Sequence, residues 1–179
     1  MSAVSVTLAS TTLDVIRNHL FSRNTGCEEA AFLFADSVDV AGAWHLVCRE
    51  WFPVPPDGFV HRSRWFLELT DEMRGQLIKR AHDLQCILVE LHSHPSQDTA
   101  CFSWSDLRGF EEFVPHVLWR LPGRPYCALV MTEDSFDGLL WPQPGLPIAV
   151  DTIELEHTTM FSTGLTVRHW DEIIERSPV

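Results

Sequence analysis

The stretch that most constrains this chain is Cys86-Ile87-Leu88-Val89-Glu90-Leu91, apolar at every position except Glu90. A strand with one face in water alternates apolar and polar side chains, so an unbroken run needs cover on both faces of its sheet. Cover for one face stands directly upstream. Thr70 to Leu84 reads as a helix, with Thr70 as cap, Asp71 and Glu72 at its positive end, and Met73, Leu77, Ile78, Ala81 and Leu84 as one apolar stripe. A helix feeding straight into a buried strand predicts a sheet enclosed between helices.

The remaining punctuation extends that picture. Leu13, Ile16 and Leu20 share one helical face, predicting a helix over about 11–21 with Ser10 or Thr11 as its cap. Ala30 to Ala35, after the turn signal Asn24-Thr25-Gly26, reads as a buried strand. Trp44 to Pro53 reads as a second strand, stopped by Pro53, Pro55, Pro56 and Gly58. A helix is expected from Ser103-Trp104-Ser105-Asp106 to about Phe113, and strands at Tyr126 to Thr132 and Gly138 to Trp141. Thr152 to Glu156 alternates weakly, and a short helix is expected over 170–176. Strands and helices mix without regular alternation, which predicts the α+β class, a mixed α/β sandwich with a central mixed sheet flanked by helices.

A length of 179 residues predicts one domain spanning 1–179. Thirteen Lys and Arg against 25 Asp and Glu leave a net charge of −12, which argues against nucleic acid as a partner and leaves a basic protein open. No run of apolar residues is long enough for a membrane span. The start lacks both a basic leader and an apolar core, so the expected location is cytoplasmic. Five scattered cysteines without a C-x-x-C fit a reducing compartment and make a cysteine-built zinc site or disulfide scaffold improbable.

Chemistry concentrates where the apolar strand ends, at His92-Ser93-His94-Pro95. Side chains at i and i+2 point to the same face, so both imidazoles can converge on one metal ion. Asp106, at the start of the next helix, can fold back as a third ligand. Two His and one carboxylate leave a position for water, the open arrangement of catalytic zinc. Ser103 sits where a helix N-cap belongs. Glu90 shares the histidines' face as a competing ligand or supporting group, although a partly exposed strand-end acid or a substrate contact is the favoured reading. Cys101 reads as a small loop hydrophobe, and Trp104 as packing or cleft lining. The aromatic stretch Trp65-Phe66-Leu67 and the pair Trp44 and Trp51 read most simply as core, with an exposed subset as the alternative. The other histidines, His45 and His157 among them, have no ligand partner at short spacing.

These residues resemble a known family motif. His-x-His-Pro, seven residues (Ser96 to Phe102), then Ser-x-x-Asp is similar to the JAMM motif of JAB/MPN metalloproteases, with His92, His94, Pro95, Ser103 and Asp106 at its fixed positions. The loop length resembles the isopeptidase branch more than the DNA-repair-associated branch. The order helix, strand with an upstream Glu, strand, helix, strand with His-x-His also resembles the MPN fold, over most of the chain to about residue 135. The family's catalytic Glu lies in a pattern like E-x-x-G-x-L-x-G. Placing Glu28 there puts Ala31, Leu33 and Ala35 at the G, L and G positions, so both family glycines are alanines here. Glu29 would put Phe32 and Asp36 there instead, and adjacent strand residues face opposite sides. Glu28 is the chosen register.

The resemblance implies Zn2+ held by His92, His94 and Asp106, with Glu28 as general acid/base and Ser103 as oxyanion donor. It implies hydrolysis after the C-terminal glycine of ubiquitin or a ubiquitin-like protein, in a prokaryotic pathway beside E1- and E2-like enzymes. It also implies that the loop Pro53 to Gly58 borders the substrate groove. Alternatives are a peptidase maturing a sulfur-carrier or ubiquitin-like precursor, and a non-catalytic MPN scaffold, which would lack the metal ligands that this chain keeps. A nucleobase deaminase (H-x-E with P-C-x-x-C) and an H-E-x-x-H protease are excluded by direct search.

Overall fold

The computed structural model describes residues 3–21 and 26–170. In chain order these form β1 (Val4–Thr7), α1 (Ser10–Phe21), β2 (Ala30–Val40), β3 (Ala43–Pro53), a one-turn 3-10 helix (Pro56–Gly58), β4 (Phe59–Arg62) and β5 (Leu67–Leu69). There follow α2 (Asp71–Leu84), β6 (Ile87–Ser93), α3 (Trp104–Arg120), β7 (Tyr126–Met131) and β8 (Phe136–Trp141). The last described elements are β9 (Ile148–Ala149), β10 (Thr152–Glu154), β11 (Thr159–Phe161) and α4 (Leu165–Arg168). Nine strands form one mixed sheet in the order β11-β10-β1-β3-β2-β6-β7-β8-β9, and β4 and β5 form a separate hairpin.

β6 lies inside this sheet, antiparallel to β2 and parallel to β7, with all seven residues buried. Its even and odd side chains feed two separate cores. On one face Leu88 joins Phe32, Phe34 and Tyr126 beneath the apolar sides of α2 and α3. On the other, Ile87, Val89 and Leu91 pack with Leu33 and Leu46 against Leu13, Ile16 and Leu20 of α1. The chain is therefore α+β, a large mixed sheet between helices. No helix among the described residues is long and apolar enough to cross a membrane.

α2 runs where the sequence predicts, capped by the Thr70 hydroxyl, which accepts the Met73 N–H at 3.1 Å. Gln85 ends it in the left-handed region (φ +57°), turning the chain directly into β6. α1 differs from expectation at its start. Ser10 is its first residue rather than its cap, and both its N–H (2.8 Å) and its hydroxyl (2.5 Å) donate to the Glu156 carboxylate. Those two donors hold the Glu156 carboxyl down at about 2. The helix start is thus satisfied by a residue remote in sequence.

α3 runs to Arg120, well past Phe113, despite Pro115. Pro115 lies on the exposed face, where water can take the bond its missing N–H leaves unmade, while Val114 and Val117 stay buried. β1, the β4–β5 hairpin, β9, β11 and α4 have no counterpart in the sequence reading, since each is too short to show a period. Of the helix expected over 170–176, only Trp170 is described, and residues 24 and 25 of the expected turn also lie outside the described residues. Trp65 and Phe66 are not core. They are 61% and 38% exposed on the hairpin's connecting loop, whereas Trp44 and Trp51 pack partly buried against the α1-side core.

Gly138 in β8 marks a close approach. A Cβ there would lie 2.6 Å from Leu129 Cδ2 and 2.8 Å from Val150 Cβ. Gly138→Ala is expected to destabilise the fold by about 1–3 kcal/mol through overpacking, read as a lower chemical-denaturation midpoint with an unchanged slope.

Candidate metal centre

Three separately held arms meet at the end of β6. The first is β6 itself. Ala30 of β2 pairs with His92, and the His94 N–H continues the parallel ladder by donating to the Met131 carbonyl at 2.8 Å. His92 and His94 thus project from one sheet face, 2% and 3% exposed, with ring centroids 5.0 Å apart. Ser93 between them points elsewhere, its hydroxyl accepting the Glu29 N–H at 2.9 Å.

The second arm is the start of α3. Ser103 is its N-cap: its Oγ accepts the Asp106 N–H at 3.2 Å, and its N–H donates to Asp106 Oδ2 at 2.6 Å. The Ser103 hydroxyl also lies 2.7 Å from Asp106 Oδ2 and 2.7 Å from Ser105 Oγ. This capping box fixes the Asp106 carboxylate and leaves Oδ1 turned toward His92 Nε2 at 3.7 Å, while Oδ2 lies 3.3 Å from His94 Nε2. One ligand atom from each of His92, His94 and Asp106 lies within 4.8 Å of the other two, a group that can hold a metal ion.

The third arm is the segment ahead of β2. Of the two adjacent acids, Glu28 is the one at the cluster, its Oε1 3.6 Å from His94 Nε2. Glu29 is instead taken by Arg62 of β4, at 2.5 Å, in a pair where the Glu29 side chain is only 1% exposed. The loop between β4 and β5 straps this arm down. The Ser63 carbonyl accepts the Glu28 N–H at 2.7 Å, and Arg64 donates to Ser96 Oγ, beyond the His94-Pro95 turn, at 2.9 and 3.1 Å.

Unpartnered atoms mark where a ligand fits. His92 Nε2, both ring nitrogens of His94 and Glu28 Oε2 are buried without a hydrogen-bond partner. Buried polar atoms are ordinarily satisfied, and neutral imidazole nitrogens beside a carboxylate suit a divalent cation. Electrostatics support this fit. Burial alone would strip a proton from His92, but Asp106 and Glu90 outweigh it and lift its pKa to about 10. Burial raises the Asp106 carboxyl, yet His92 and His94 outweigh that and hold it well below the carboxylate range. The protein alone therefore binds protons where a cation would bind instead, and cation uptake releases them. Glu28 is shifted the other way. Desolvation raises it to about 7, against the pull of His92 and His94.

Glu90 is the residue the sequence reading misjudged. It is not a partly exposed strand-end acid but is 9% exposed, with Oε1 3.3 Å from His92 Nδ1 and Oε2 accepting the Tyr126 hydroxyl at 2.6 Å. With Nδ1 beside Glu90, the Nε2 of His92 faces the cluster. The available signal was a lone acid in an apolar run on the histidines' own face. Cys101 stays out of the metal group, its thiol 3.5 Å from the Thr166 hydroxyl.

A cleft of about 340 Å³ opens over His92 and Asp106, between the β5 side of the hairpin (Phe66, Leu67) and α3 (Trp104, Phe110, Phe113). Pro53, Val54, Pro55 and Pro56 do not border it. They line a separate hollow against Val15 and His19 of α1. No protein-family model matches the chain, and no curated protein matches it.

Two outcomes follow for stability. Glu29→Gln breaks a buried ion pair and is expected to cost about 3 kcal/mol, the low end of the range because Arg62 keeps 20% of its side-chain exposure. Chelator-treated protein should also show a pH effect of Glu28. The native state keeps its proton up to about 7, whereas the unfolded chain releases it near 4.5. Between those values the native state binds more protons, so this contribution falls as pH rises. Thermal unfolding should show Glu28→Gln gaining on wild type from pH 4.5 to pH 7, and a gap constant with pH would contradict the shift.

Proposed function

We propose that this chain is a zinc-dependent amide hydrolase of the JAB/MPN type, cleaving after the C-terminal glycine of ubiquitin or a ubiquitin-like protein. The observation that carries the reading is the convergence of His92, His94 and Asp106, whose ligand atoms lie within 4.8 Å of one another beside the buried, partnerless Glu28 Oε2. A bound zinc ion would supply Lewis acidity, lowering the pKa of water and polarising the scissile carbonyl.

The chain's own groups divide the rest of the work. Glu28, with a proton affinity near 7, is poised to take a proton from the attacking water and return it to the leaving amine. Glu90 orients His92 through Nδ1. Ser103 is the oxyanion donor, and to act it must turn its hydroxyl proton from Asp106 or Ser105 toward the substrate oxygen. The cleft between hairpin and α3 receives the chain on one side of the bond. The His-x-His-Pro and Ser-x-x-Asp spacing, similar to that of the isopeptidase branch, favours a ubiquitin-like substrate, with E1- and E2-like enzymes as companions in the cytoplasm.

Metal analysis of the purified chain is expected to give about one zinc per chain, lost in His92→Ala and Asp106→Ala and kept in His45→Ala and His157→Ala. Glu28→Gln should keep the zinc while turnover of a ubiquitin-like protein, extended past its terminal glycine, falls about 10²–10⁴-fold. Zinc surviving the His92 change, or turnover surviving both Glu28→Gln and chelation, would overturn the proposal. Linear and lysine-linked versions of the same substrate separate a maturing peptidase from an isopeptidase.

A further inference from the structure

His92 and His94 are fixed by a sheet, but Asp106 arrives on a different element. A metal site needs its ligands held to within about 0.5 Å. Apolar burial holds the underside of α3 without direction, and hydrogen bonds near its start add the directional part of that hold. One such tie lies outside the site described above.

Asp137 of β8 is a fully buried carboxylate that plays no part in the proposed chemistry. It accepts four hydrogen bonds. Oδ1 takes the Gly138 N–H (3.0 Å) and the Ser162 hydroxyl (2.9 Å), and Oδ2 takes the Thr166 N–H (2.8 Å) and the Thr166 hydroxyl (2.7 Å). Thr166, also fully buried, passes the connection on, because its hydroxyl oxygen accepts the Phe102 N–H at 3.0 Å. The neighbouring Thr163 hydroxyl donates to the Ala100 carbonyl at 2.8 Å, and the Ala100 N–H donates to Ser135 Oγ at 2.9 Å. Residues 100–102 are thus held by hydrogen bonds from two sides.

The next residue is Ser103, whose N–H and hydroxyl grip Asp106. The ring of Phe102 meanwhile packs edge-on against His92, with centroids 5.6 Å apart. The backbone of Phe102 thus leads to one ligand while its side chain touches another.

We infer that Asp137 and Thr166 are positioning residues that set Asp106 against the two histidines, acting through the backbone of Phe102 and the Ser103 cap. The segment from Ser162 to Thr166 is then a clasp on the metal centre rather than a peripheral tail. The inference rests on the metal reading proposed above.

Thr166→Val keeps the shape and removes the hydroxyl, leaving the Phe102 N–H without its acceptor, and Thr166→Ser keeps the hydroxyl. Zinc affinity of the full chain, stripped with chelator and titrated in competition with a chelating dye, is read beside thermal unfolding of the stripped form. Thr166→Val is expected to weaken zinc binding about 10–100-fold, the range for loss of a group that supports a ligand. Thr166→Ser should restore near wild-type affinity. Leu13→Ala, on the opposite face of the sheet, should lower the unfolding midpoint and leave zinc affinity unchanged. Thr163→Val, at a half-buried position, gives a milder version of the same test and should weaken zinc binding even if Thr166→Val does not fold. Wild-type zinc affinity in either the Thr166→Val or the Thr163→Val chain, whatever its midpoint, overturns the inference. Wild-type protein that binds no zinc, or His92→Ala that binds it normally, overturns the metal reading instead.

Discussion

The structure turns on four ionisable side chains gathered, nearly dry, at one end of one strand. Glu28, His92 and His94 are each 2–3% exposed, and the Asp106 side chain is 11% exposed. Taking charge out of water is costly unless partners or a metal compensate. Here two acids offset two bases only in part, and several of their atoms keep no hydrogen bond. A chain that folds around such a cluster spends stability on it, which is the pattern expected of a functional site.

The rest of the architecture can be understood as support for that cluster. β6 must be interior so that its histidines stand on a rigid ladder. The β4–β5 hairpin, outside the main sheet, ties down the Glu28 segment through the Ser63 carbonyl and the Arg62–Glu29 pair. α3 brings Asp106 in its first turn, where the capping box sets the carboxylate and the positive helix end favours it. Beneath the histidines, Tyr126 and Glu90 form a buried polar pair inside a layer that is otherwise apolar. Each arm is held by directional bonds, and the apolar cores on the two faces supply most of the cohesion.

Glu28 and Asp106 show how environment divides two carboxyls of similar intrinsic acidity. Desolvation dominates at Glu28 and raises it into the neutral range. At Asp106 the two imidazoles outweigh the same burial and hold it ionised. Environments that push paired acids apart separate a proton carrier from a permanent anion. Glu29, next in sequence to Glu28, takes neither role because its side chain is paired with Arg62.

Much of this was legible in the residues alone. The apolar run and its upstream helix marked β6 and α2, and parity placed His92 and His94 on one face. Glu28 and Glu29 lie just ahead of β2, where strand parity does not apply. The spacing from His94 to Ser103 and Asp106 marked the candidate ligands, and the Ser-x-x-Asp pattern marked their helix start. These are local properties, set by periods of 2 and 3.6 residues and by caps. What stayed illegible depends on groups distant in sequence meeting in space. Glu90 reads as a strand-end acid until Tyr126 pairs with it, and Ser10 reads as a cap until Glu156 supplies one. Trp65 and Phe66 read as core until the hairpin carries them outside. Asp137 and Thr166 carry no sequence signal. Their value to the site exists only because tertiary packing brings β8, the segment before α4 and the loop before α3 within hydrogen-bonding distance, where a directional bond can form.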